Sequence, residues 1–342
     1  MKPFTGAQMK KKSVLGIGNA LIDVLITITD DTVLQKFGLP KGSMTLVDSV
    51  LSAEIKKETK NSTRSIQTGG SAANTIHGIA KLGGRCGYIG KISNDEMGNF
   101  YLEDFKRNQI NTHFFYSETG TGHATALISS DSERTFGTYL GAALELTPAE
   151  MTHEIFRDYG ILHIEGYLVQ NHALIEAAMK IAKENELMVS IDMASFNIVE
   201  ANLDFLHEII RKYVDIVFAN EEEALALTGK NPEQALPEIA AICKIAVVKL
   251  GANGSVIQTG DRVIRIDAIS AKSIDTTGAG DIYASGFLYA LSEGLDLEVA
   301  GKIGSLLAGN VVEVMGAKIS DEKWEKLRPQ IELIKKLNVE AV

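Results

Sequence analysis

The chain has few of the features that mark secreted, metal-binding or nucleic-acid-binding proteins. Its 342 residues include only two cysteines, Cys86 and Cys243, and their separation argues against a disulfide scaffold or a zinc site. Acidic residues outnumber basic ones by 44 to 34, giving a formal net charge of -10, and no long basic run occurs. These features disfavour a protein that neutralises many nucleic-acid phosphates. We expect a cytoplasmic protein that does not bind nucleic acid.

Long apolar runs are missing as well. No stretch reaches the roughly 18 uninterrupted apolar residues that a membrane span needs. Lysines precede an apolar run near the N-terminus, which is the order found in signal peptides. However, Gly16, Gly18, Asn19 and Asp23 interrupt that run, and no small-residue cleavage site follows it. We therefore expect neither export nor membrane insertion.

The length allows one large α/β domain or two small ones, and the composition predicts that the whole chain folds; we expect a single domain over residues 1–342. Hydrophobic residues make up 45% of the chain and the 6 prolines are dispersed. Short β-rich runs alternate with helical patterns, which predicts a doubly wound α/β sandwich around a mostly parallel sheet. The strand candidates are SVLGIGN, CGYIGKI, GILHIEGY, LMVSIDM, VDIVFAN and IAVVKLG, and the helix candidates span 72–82, 98–107, 173–184 and 221–227.

Two segments interrupt this alternation, at approximately residues 24–50 and 110–140. Both have the pattern of strands or hairpins and not of βα units, which predicts a small β lid over the strand ends. Such a lid would keep water away from a reactive ligand. An edge extension of the main sheet with no moving role is the alternative. Exposed lid strands also leave both a monomer and a homodimer open.

The stretch SIDTTGAGDIYASGFLYAL, at residues 273–291, predicts an anion-binding loop. A strand-like alternation precedes it, and apolar residues then recur at helical spacing. Gly278, Ala279 and Gly280 therefore lie at a helix N-terminus. Free backbone N–H groups and the helix dipole favour anions there, and glycine lets a phosphate approach the backbone closely.

Asp281 falls in the first turn of the same predicted helix. A carboxylate there is suited to accept the proton of an attacking hydroxyl, as a catalytic aspartate does in kinases. The alternative is a favourable first-turn charge beside a tight glycine turn. Other nucleotide motifs are missing, because no Gly-Lys pair precedes Ser or Thr, and Leu21 stands where a dinucleotide fingerprint requires its third glycine. A nicotinamide-dependent enzyme is therefore disfavoured.

A second loop-to-helix junction, QTGGSAANTIHGIAKLGG, supplies candidate acceptor-binding residues. Gly69 and Gly70 open the backbone before a helix for which Ser71 is the expected N-cap. Asn74 can donate to and accept from a diol, or it can serve only the helix end. Asp23 interrupts ALIDVLI, where a buried carboxylate needs partners such as two vicinal hydroxyls, unless it lies at the surface at the strand's end.

These segments resemble the ribokinase-like family, also called the PfkB carbohydrate kinase family, over nearly the full chain. DTTGAGDIYASGFL is similar to its C-terminal signature and GGSAANTIHGIAKLGG to its N-terminal one. GNALIDV and ERTFGTYLGAALEL are most similar to adenosine-kinase-like and related bacterial sugar-kinase members. The resemblance implies a ribokinase-like fold and an ATP-dependent phosphotransferase that acts on a primary hydroxyl of a nucleoside or furanose sugar.

The resemblance also implies roles for individual residues. Asp281 matches the base that deprotonates the acceptor hydroxyl, and the amides of residues 278–280 match the anion hole. Positions that hold the acceptor's sugar hydroxyls are matched by Asp23, Gly70 and Asn74.

Further matches concern the donor nucleotide and its metal. Arg134 matches a lid arginine that can reach the transferred phosphate. Asn220 and Glu223, in NEEEAL, match residues that organise Mg²⁺ and its waters near the phosphates of ATP. Gly251 matches the turn under the nucleotide. Lys249 departs from the pattern, because many relatives have a threonine there.

Two further matches concern a cation site beside the anion hole and the adenine pocket. Asp275, Gly316 and Ser320 match positions that bind a monovalent cation such as potassium in several relatives. Asn310 lies in the helix that usually forms a wall of the adenine pocket.

Two acidic residues at the carboxyl ends of predicted strands, Glu165 and Asp192, are candidate contacts to the acceptor. The seven histidines show no metal-ligand spacing. Adenosine, another nucleoside and a free sugar all remain open as acceptors. A non-catalytic nucleoside or sugar sensor is disfavoured, because a pure binding protein needs neither a base nor an anion hole.

Overall fold

The computed structural model describes residues 11–131 and 133–339. Residues 1–10 hold the first part of the signal-peptide-like segment, which therefore lies partly outside the described residues. Within the described ranges, no helix is long and apolar enough to cross a bilayer.

Runs rich in valine, isoleucine and leucine form the strands. In chain order the strands are β1 Ser13–Ile17, β2 Leu21–Thr27, β3 Met44–Leu46, β4 Arg64–Gly69, β5 Arg85–Ser93, β6 Asn111–Ser117, β7 Gly122–Ile128, β8 Arg134–Tyr139, β9 Ile161–Glu165, β10 Met188–Asp192, β11 Ile216–Asn220, β12 Ile245–Lys249, β13 Ser255–Thr259 and β14 Arg262–Ile266. The six strand candidates correspond to β1, β5, β9, β10, β11 and β12.

The helices follow the strands as the sequence predicts. In chain order they are α1 Thr32–Lys36, α2 Ser49–Glu58, α3 Ser71–Lys81, α4 Glu96–Arg107, α5 His153–Phe156, α6 His172–Glu184, α7 Phe196–Ala201, α8 Leu203–Tyr213, α9 Glu221–Thr228, α10 Pro232–Ile242, α11 Ala279–Ser292, α12 Leu297–Val311 and α13 Asp321–Val339. The four helix candidates correspond to α3, α4, α6 and α9, and the helix after the glycine turn is α11.

Among the described residues, a 9-stranded sheet runs in the order β14-β13-β12-β11-β10-β9-β1-β5-β6. From β12 to β6 all neighbouring strands pair in parallel, whereas β13 and β14 add an antiparallel edge. Parallel strands bring their carboxyl ends to one edge of a sheet, which is where α/β proteins bind ligands.

Helices cover both faces of this sheet, as the predicted doubly wound α/β fold requires. Ile216 and Phe218 of β11 pack in one apolar cluster with α3, α11, α12 and α13, whereas Val217 and Ala219 pack in the other with α6, α8, α9 and α10. Successive side chains of a strand point to opposite faces, so a strand between two helical layers is apolar at every position.

A second sheet has 5 strands among the described residues, in the order β3-β8-β7-β2-β4. It contains most of the predicted lid strands. Two details differ from the prediction. Strand β4, at Arg64–Gly69, belongs to this sheet although it lies outside both predicted segments, and helices α1 and α2 interrupt or end the first segment.

The second predicted lid segment, 110–140, also divides between the two sheets. Its first strand, Asn111–Ser117, pairs in parallel with β5 and forms the edge of the main sheet. The interpretation of this part as a non-βα segment was wrong, because α4 carries the chain back and makes β5-α4-β6 a βαβ unit. Only β7 and β8 of that segment belong to the smaller sheet.

Candidate active site

A cleft of about 1480 Å³ opens between the two sheets at the carboxyl ends of the parallel strands. It brings together most of the residues that the sequence singled out, although they come from distant parts of the chain. Those that line it are Asp23, Gly70, Asn74, Glu165, Asp192, Asn220, Glu223, Gly251, Gly278, Ala279, Gly280 and Asp281. Among the predicted residues, Gly69, Arg134, Asp275, Asn310, Gly316 and Ser320 do not line it.

The predicted glycine turn begins helix α11. Gly278 is the N-cap, with a φ of 74° in the left-handed region that favours glycine. A Cβ on Gly278 would also lie 2.3 Å from the Cβ of Ala317, so the turn has no room for a side chain. The Ala279 amide donates to Thr276 O at 3.1 Å. Within the described residues, the amides of Gly278 and Gly280 have no protein acceptor and are free for an anion.

Asp281 links the two glycine-rich segments. Ser71 Oγ donates to its Oδ1 at 2.7 Å, and Asn74 Nδ2 donates to its Oδ2 at 2.9 Å. Burial raises the pKa of Asp281 to about 7, and repulsion from Asp192 adds to this, against the two hydrogen bonds and the attraction of Lys249. A carboxylate whose pKa lies near neutrality is suited to general-base work.

Glu165 caps helix α3 from another part of the chain. Its Oε2 accepts from the amide of Ala72 at 3.0 Å, and its Oε1 accepts from the backbone and side-chain N–H groups of Asn19. The prediction of Ser71 as N-cap was wrong, because Gly70 holds that position and the Ser71 hydroxyl donates to Asp281. Burial raises the pKa of Glu165 to about 7. Because these N–H groups donate to its carboxylate, Glu165 holds the start of α3 in place beside Asn19.

Asp23 lies on the cleft side of the smaller sheet, beside Gly69 on the neighbouring strand. A Cβ on Gly69 would lie 2.4 Å from the Asp23 carboxylate, so glycine is what permits this close approach. Burial raises the pKa of Asp23 to about 6, against a hydrogen bond from Gln67 and the attraction of Lys318 and Arg134.

Asn74 carries a buried acceptor that lacks a protein partner. Its amide nitrogen is used by Asp281, whereas its Oδ1 is fully buried and has no hydrogen bond within the described residues. A buried polar atom without a partner costs free energy, which a hydroxyl of a bound molecule would recover.

Asn220 and Glu223 form a reciprocal cap at the start of α9. The Glu223 amide donates to Asn220 Oδ1, and Asn220 N and Nδ2 donate to the Glu223 carboxylate, all at 2.8 Å. This arrangement is a capping box. Burial raises the pKa of Glu223 to about 7, and Asp192 adds to this, against the attraction of Lys249.

The residues around α9 fit a magnesium ion held through water. Asp192 and Glu223 are buried, Asp281 is half-buried, and these three carboxylates share the cleft with a single lysine, Lys249. Their negative charge exceeds the positive charge available, so a divalent cation would lower the electrostatic cost. The described residues contain no cluster of three or more metal-ligating side chains that could hold a metal directly. Magnesium usually keeps several of its waters in such sites.

Lys249 lies at the cleft end of β12, and its Nζ is 2.8 Å from Asp192 Oδ2. The Asp192 side chain is buried, and that of Lys249 is 15% exposed. Sequence reasoning noted Lys249 only as a departure from the family pattern, and it did not connect Lys249 with Asp192. No local pattern in the sequence records this pair, because it depends on the order of β10, β11 and β12 in the sheet, which brings their carboxyl ends together.

The residues predicted to bind a monovalent cation do not fit one. Arg134 Nη1 lies 2.8 Å from Asp275 Oδ2, which also accepts from the amide of Gly316 at 2.7 Å. The Asp275 charge is thus already balanced by a buried guanidinium. The N–H of Gly316 donates to this carboxylate, and the hydroxyl of Ser320 accepts from an amide of the following helix. In this arrangement Arg134 is buried in an ion pair and does not face the cleft.

Helix α12 lines the other end of the cleft, but not through Asn310. Ser305, Ala308 and Gly309 line it, whereas the Asn310 side chain donates to Leu306 O at 2.9 Å. The predicted helix lines the cleft but Asn310 does not, because the pitch of a helix turns Asn310 away from it. Small side chains there leave room for a flat ring. Gly251, with a φ of 53°, lies under the same end.

Solved structures and curated proteins resemble this chain closely. A probable sugar kinase from Rhizobium etli superposes with a TM-score of 0.84 at 32% identity, covering 93% of this chain and 98% of that one. An adenosine kinase from Sinorhizobium meliloti gives a TM-score of 0.84 at 32% identity, covering 93% and 99%. A 5-dehydro-2-deoxygluconokinase from Clostridium botulinum is 32% identical over 263 residues, which is 71% of this chain and 78% of that protein.

The family is established by a match that spans most of the chain. The profile described as pfkB family carbohydrate kinase matches residues 42–324, which include both glycine-rich segments, Asp281 and the capping box of α9. Together with the fold and the geometry of the cleft, this shows that the protein is a kinase and belongs to the pfkB family of carbohydrate kinases.

Proposed function

We propose that the protein transfers the γ-phosphate of ATP to the primary hydroxyl of a neutral nucleoside, with adenosine as the first candidate. The observation that carries this proposal is a row of side chains across the smaller sheet. Leu46, Thr138, Ala124 and Asp23 lie on neighbouring strands in register, and all four line the cleft. The row passes from an apolar end at Leu46 to a carboxylate at Asp23.

The length and polarity of this row suit a sugar joined to a flat base. Three strand spacings separate Leu46 from Asp23, or about 14 Å. At the polar end, Asp23 and the unpartnered Oδ1 of Asn74 can accept from sugar hydroxyls. At the other end, Met44 and Leu46 line the cleft although they are 48% and 53% exposed. An apolar ring bound there would cover them.

The charge of the cleft favours a neutral acceptor. Among the described residues that line it, Lys249 is the only lysine or arginine, and it lies at the glycine turn. The name 5-dehydro-2-deoxygluconokinase indicates an acceptor that carries a carboxylate. Such an acceptor would add negative charge to a cleft that is already rich in carboxylates. Such an acceptor requires a cation at the acceptor end.

The geometry supports a direct transfer. The acceptor oxygen attacks the γ-phosphorus of ATP, its proton passes to the Asp281 carboxylate, and the bond from the γ-phosphorus to the bridging oxygen breaks to release ADP. The free amides of Gly278 and Gly280 stabilise charge on the transferring group. Bound magnesium, held through water near Asn220 and Glu223, would neutralise charge on the phosphates.

ADP formation from ATP and magnesium tests the proposal across adenosine, other nucleosides, ribose, fructose and 5-dehydro-2-deoxygluconate. Adenosine should give the highest kcat/KM, and Asp281→Asn should lower the signal by at least about 10²-fold. A preference for a free sugar would assign the protein to sugar phosphorylation. Nucleotide binding with no turnover on any acceptor would instead favour a sensor.

A paired substitution tests how the acceptor lies in the cleft. Leu46→Gln should raise the KM for adenosine and leave that for ribose unchanged, because only the base reaches Leu46. Asp23→Asn should weaken both acceptors, because both present sugar hydroxyls. Equal effects of Leu46→Gln on adenosine and ribose would contradict the proposed orientation.

A further inference from the structure

Lys249 lies directly against the glycine turn. A Cβ built on Gly280 would lie 2.8 Å from Lys249 Nζ, so the ammonium group packs on the first turn of α11. The free amide of Gly280 belongs to the same turn, and Asp281 follows it. An anion bound at this helix N-terminus would therefore meet the ammonium group as well as the backbone.

The ammonium group is charged and has unused donors. Burial lowers the pKa of Lys249, but the attraction of Asp192, Glu223 and Asp281 outweighs burial and raises it. An ammonium group has three N–H donors. Within the described residues, Nζ donates to a single acceptor, Asp192 Oδ2 at 2.8 Å. Two donors therefore remain for a ligand in the cleft.

We propose that Lys249 is a catalytic residue whose ammonium group donates to the transferring phosphoryl group beside Gly278 and Gly280. This rests on the proposed transfer step, and it holds for any acceptor. As the acceptor oxygen bonds to the γ-phosphorus and the bond to the bridging oxygen of ADP breaks, negative charge spreads over the phosphoryl oxygens. Lys249 stabilises that charge, while the acceptor's proton goes to Asp281. Asp192 positions the ammonium group.

A purely structural role for Lys249 makes a different prediction. If Lys249 only balances the buried charge of Asp192, removing Lys249 alone should lower both thermal stability and turnover. Removing both charges should then restore both. If Lys249 contacts the phosphoryl group, the double variant Lys249→Met/Asp192→Asn should recover thermal stability without recovering turnover. The double variant therefore separates the two roles even where Lys249→Met alone folds poorly.

The experiment compares wild type, Lys249→Met, Lys249→Arg and the double variant. Lys183→Met is the matched control, because Lys183 pairs with the buried Asp215 outside the cleft. We expect Lys249→Met and the double variant to lower kcat about 10²- to 10³-fold, as removal of one transition-state donor does. Lys249→Arg should retain part of the rate, and Lys183→Met should retain all of it.

A binding measurement provides a readout that needs no acceptor turnover. Tetrafluoroaluminate, which resembles the transferring phosphoryl group, should tighten magnesium-ADP binding to the wild type and to Lys183→Met. It should not tighten binding to Lys249→Met or to the double variant, although their affinity for magnesium-ADP alone stays near that of the wild type. Failure of the wild type to phosphorylate adenosine would reject the proposed acceptor and leave this readout intact. Wild-type tightening or turnover in the double variant would overturn the role of Lys249.

Discussion

At the scale of single residues, the chemistry depends on Asp281. Its half-buried carboxylate lies at a helix N-terminus, accepts two side-chain hydrogen bonds and has a pKa raised to about 7. Burial disfavours the charged form, and the neighbouring Asp192 repels it further. The result is a base whose charge state changes near neutral pH.

This pKa predicts how activity depends on pH. A base must be deprotonated to accept a proton, so kcat/KM should rise with pH and level off above about 7. Asp281→Asn should lower turnover by about 10²- to 10⁴-fold and lose this limb of the profile. Glu298→Gln is the control, because Glu298 is also a first-turn carboxylate but lies outside the cleft, in α12, where it pairs with Lys302. A wild-type profile that is flat between pH 5 and pH 8 would contradict the assignment.

The raised pKa of Asp281 also affects folding stability, which should fall with rising pH whereas activity rises. Because the folded pKa of Asp281 lies above the ordinary aspartate value of 3.8, the folded state holds the proton more tightly than the unfolded chain does. The stability contributed by Asp281 is therefore present at low pH and is lost as pH rises toward about 7. A shift of roughly three pKa units corresponds to at most about 4 kcal/mol. Thermal melts without ligand should show Asp281→Asn to be more stable than wild type at pH 8 and no more stable at pH 4.

At the scale of elements, the site depends on helix starts. Helix α11 begins at Gly278, α3 begins at Gly70 and is capped by Glu165, and α9 begins with its own capping box. The hydrogen bonds from Ser71 and Asn74 to Asp281 join the first two helices at their N-termini. Both glycine-rich segments therefore face the same point in the cleft.

The glycine turn of α11 can be tested against an equivalent turn elsewhere. Gly278 and Gly229 have similar φ angles of 74° and 71°, but only Gly278 has an atom within 4 Å of a new Cβ, on Ala317. Alanine at either position strains the backbone by about 1 kcal/mol or more. Gly278→Ala should in addition displace the turn and lower kcat at least about 10²-fold, whereas Gly229→Ala should keep wild-type kcat. Steady-state kinetics and thermal melts of both variants check this.

The ion pair between β8 and the loop before α11 predicts the response to monovalent cations. Because the Arg134 guanidinium already neutralises Asp275, turnover should be the same in buffers containing potassium or only choline as the cation. The measurement is kcat/KM at constant ionic strength in the two buffers. Strong activation by potassium would show that the Arg134 pair opens in the working enzyme.

At the scale of the whole molecule, the cleft lies between two sheets, and a bound nucleoside would contact both. The edge strand β3 exposes Met44 and Leu46 toward the cleft, so ligand binding should bury it. Adenosine at 100 times its Kd should slow amide exchange in β3 by up to about 100-fold, if the strand opens only when the ligand leaves. The antiparallel edge strand β14 is the internal control and should not change. Equal protection of both strands would indicate global stabilisation and not closure over the acceptor.

Much of this arrangement was predictable from the sequence. The six strand candidates and the glycine turn before α11 produce local signals, because apolar periodicity and glycine conformation depend on adjacent residues. The lid was less predictable. The pattern of Asn111–Ser117 predicts a strand that could belong to either sheet. Only its pairing with β5 assigns it to the main sheet.

What the sequence by itself determined was the order of the elements, the helix that begins at Gly278 and the position of Asp281 in its first turn. Only the tertiary structure decided which side chains meet. Glu165 caps α3 from 93 residues away, and Lys249 pairs with Asp192 across 57 residues. The physical reason is that helix starts and strand patterns depend on neighbours within a few residues. Buried charges instead take whichever partners the packed sheets bring to them, at separations that no local pattern records.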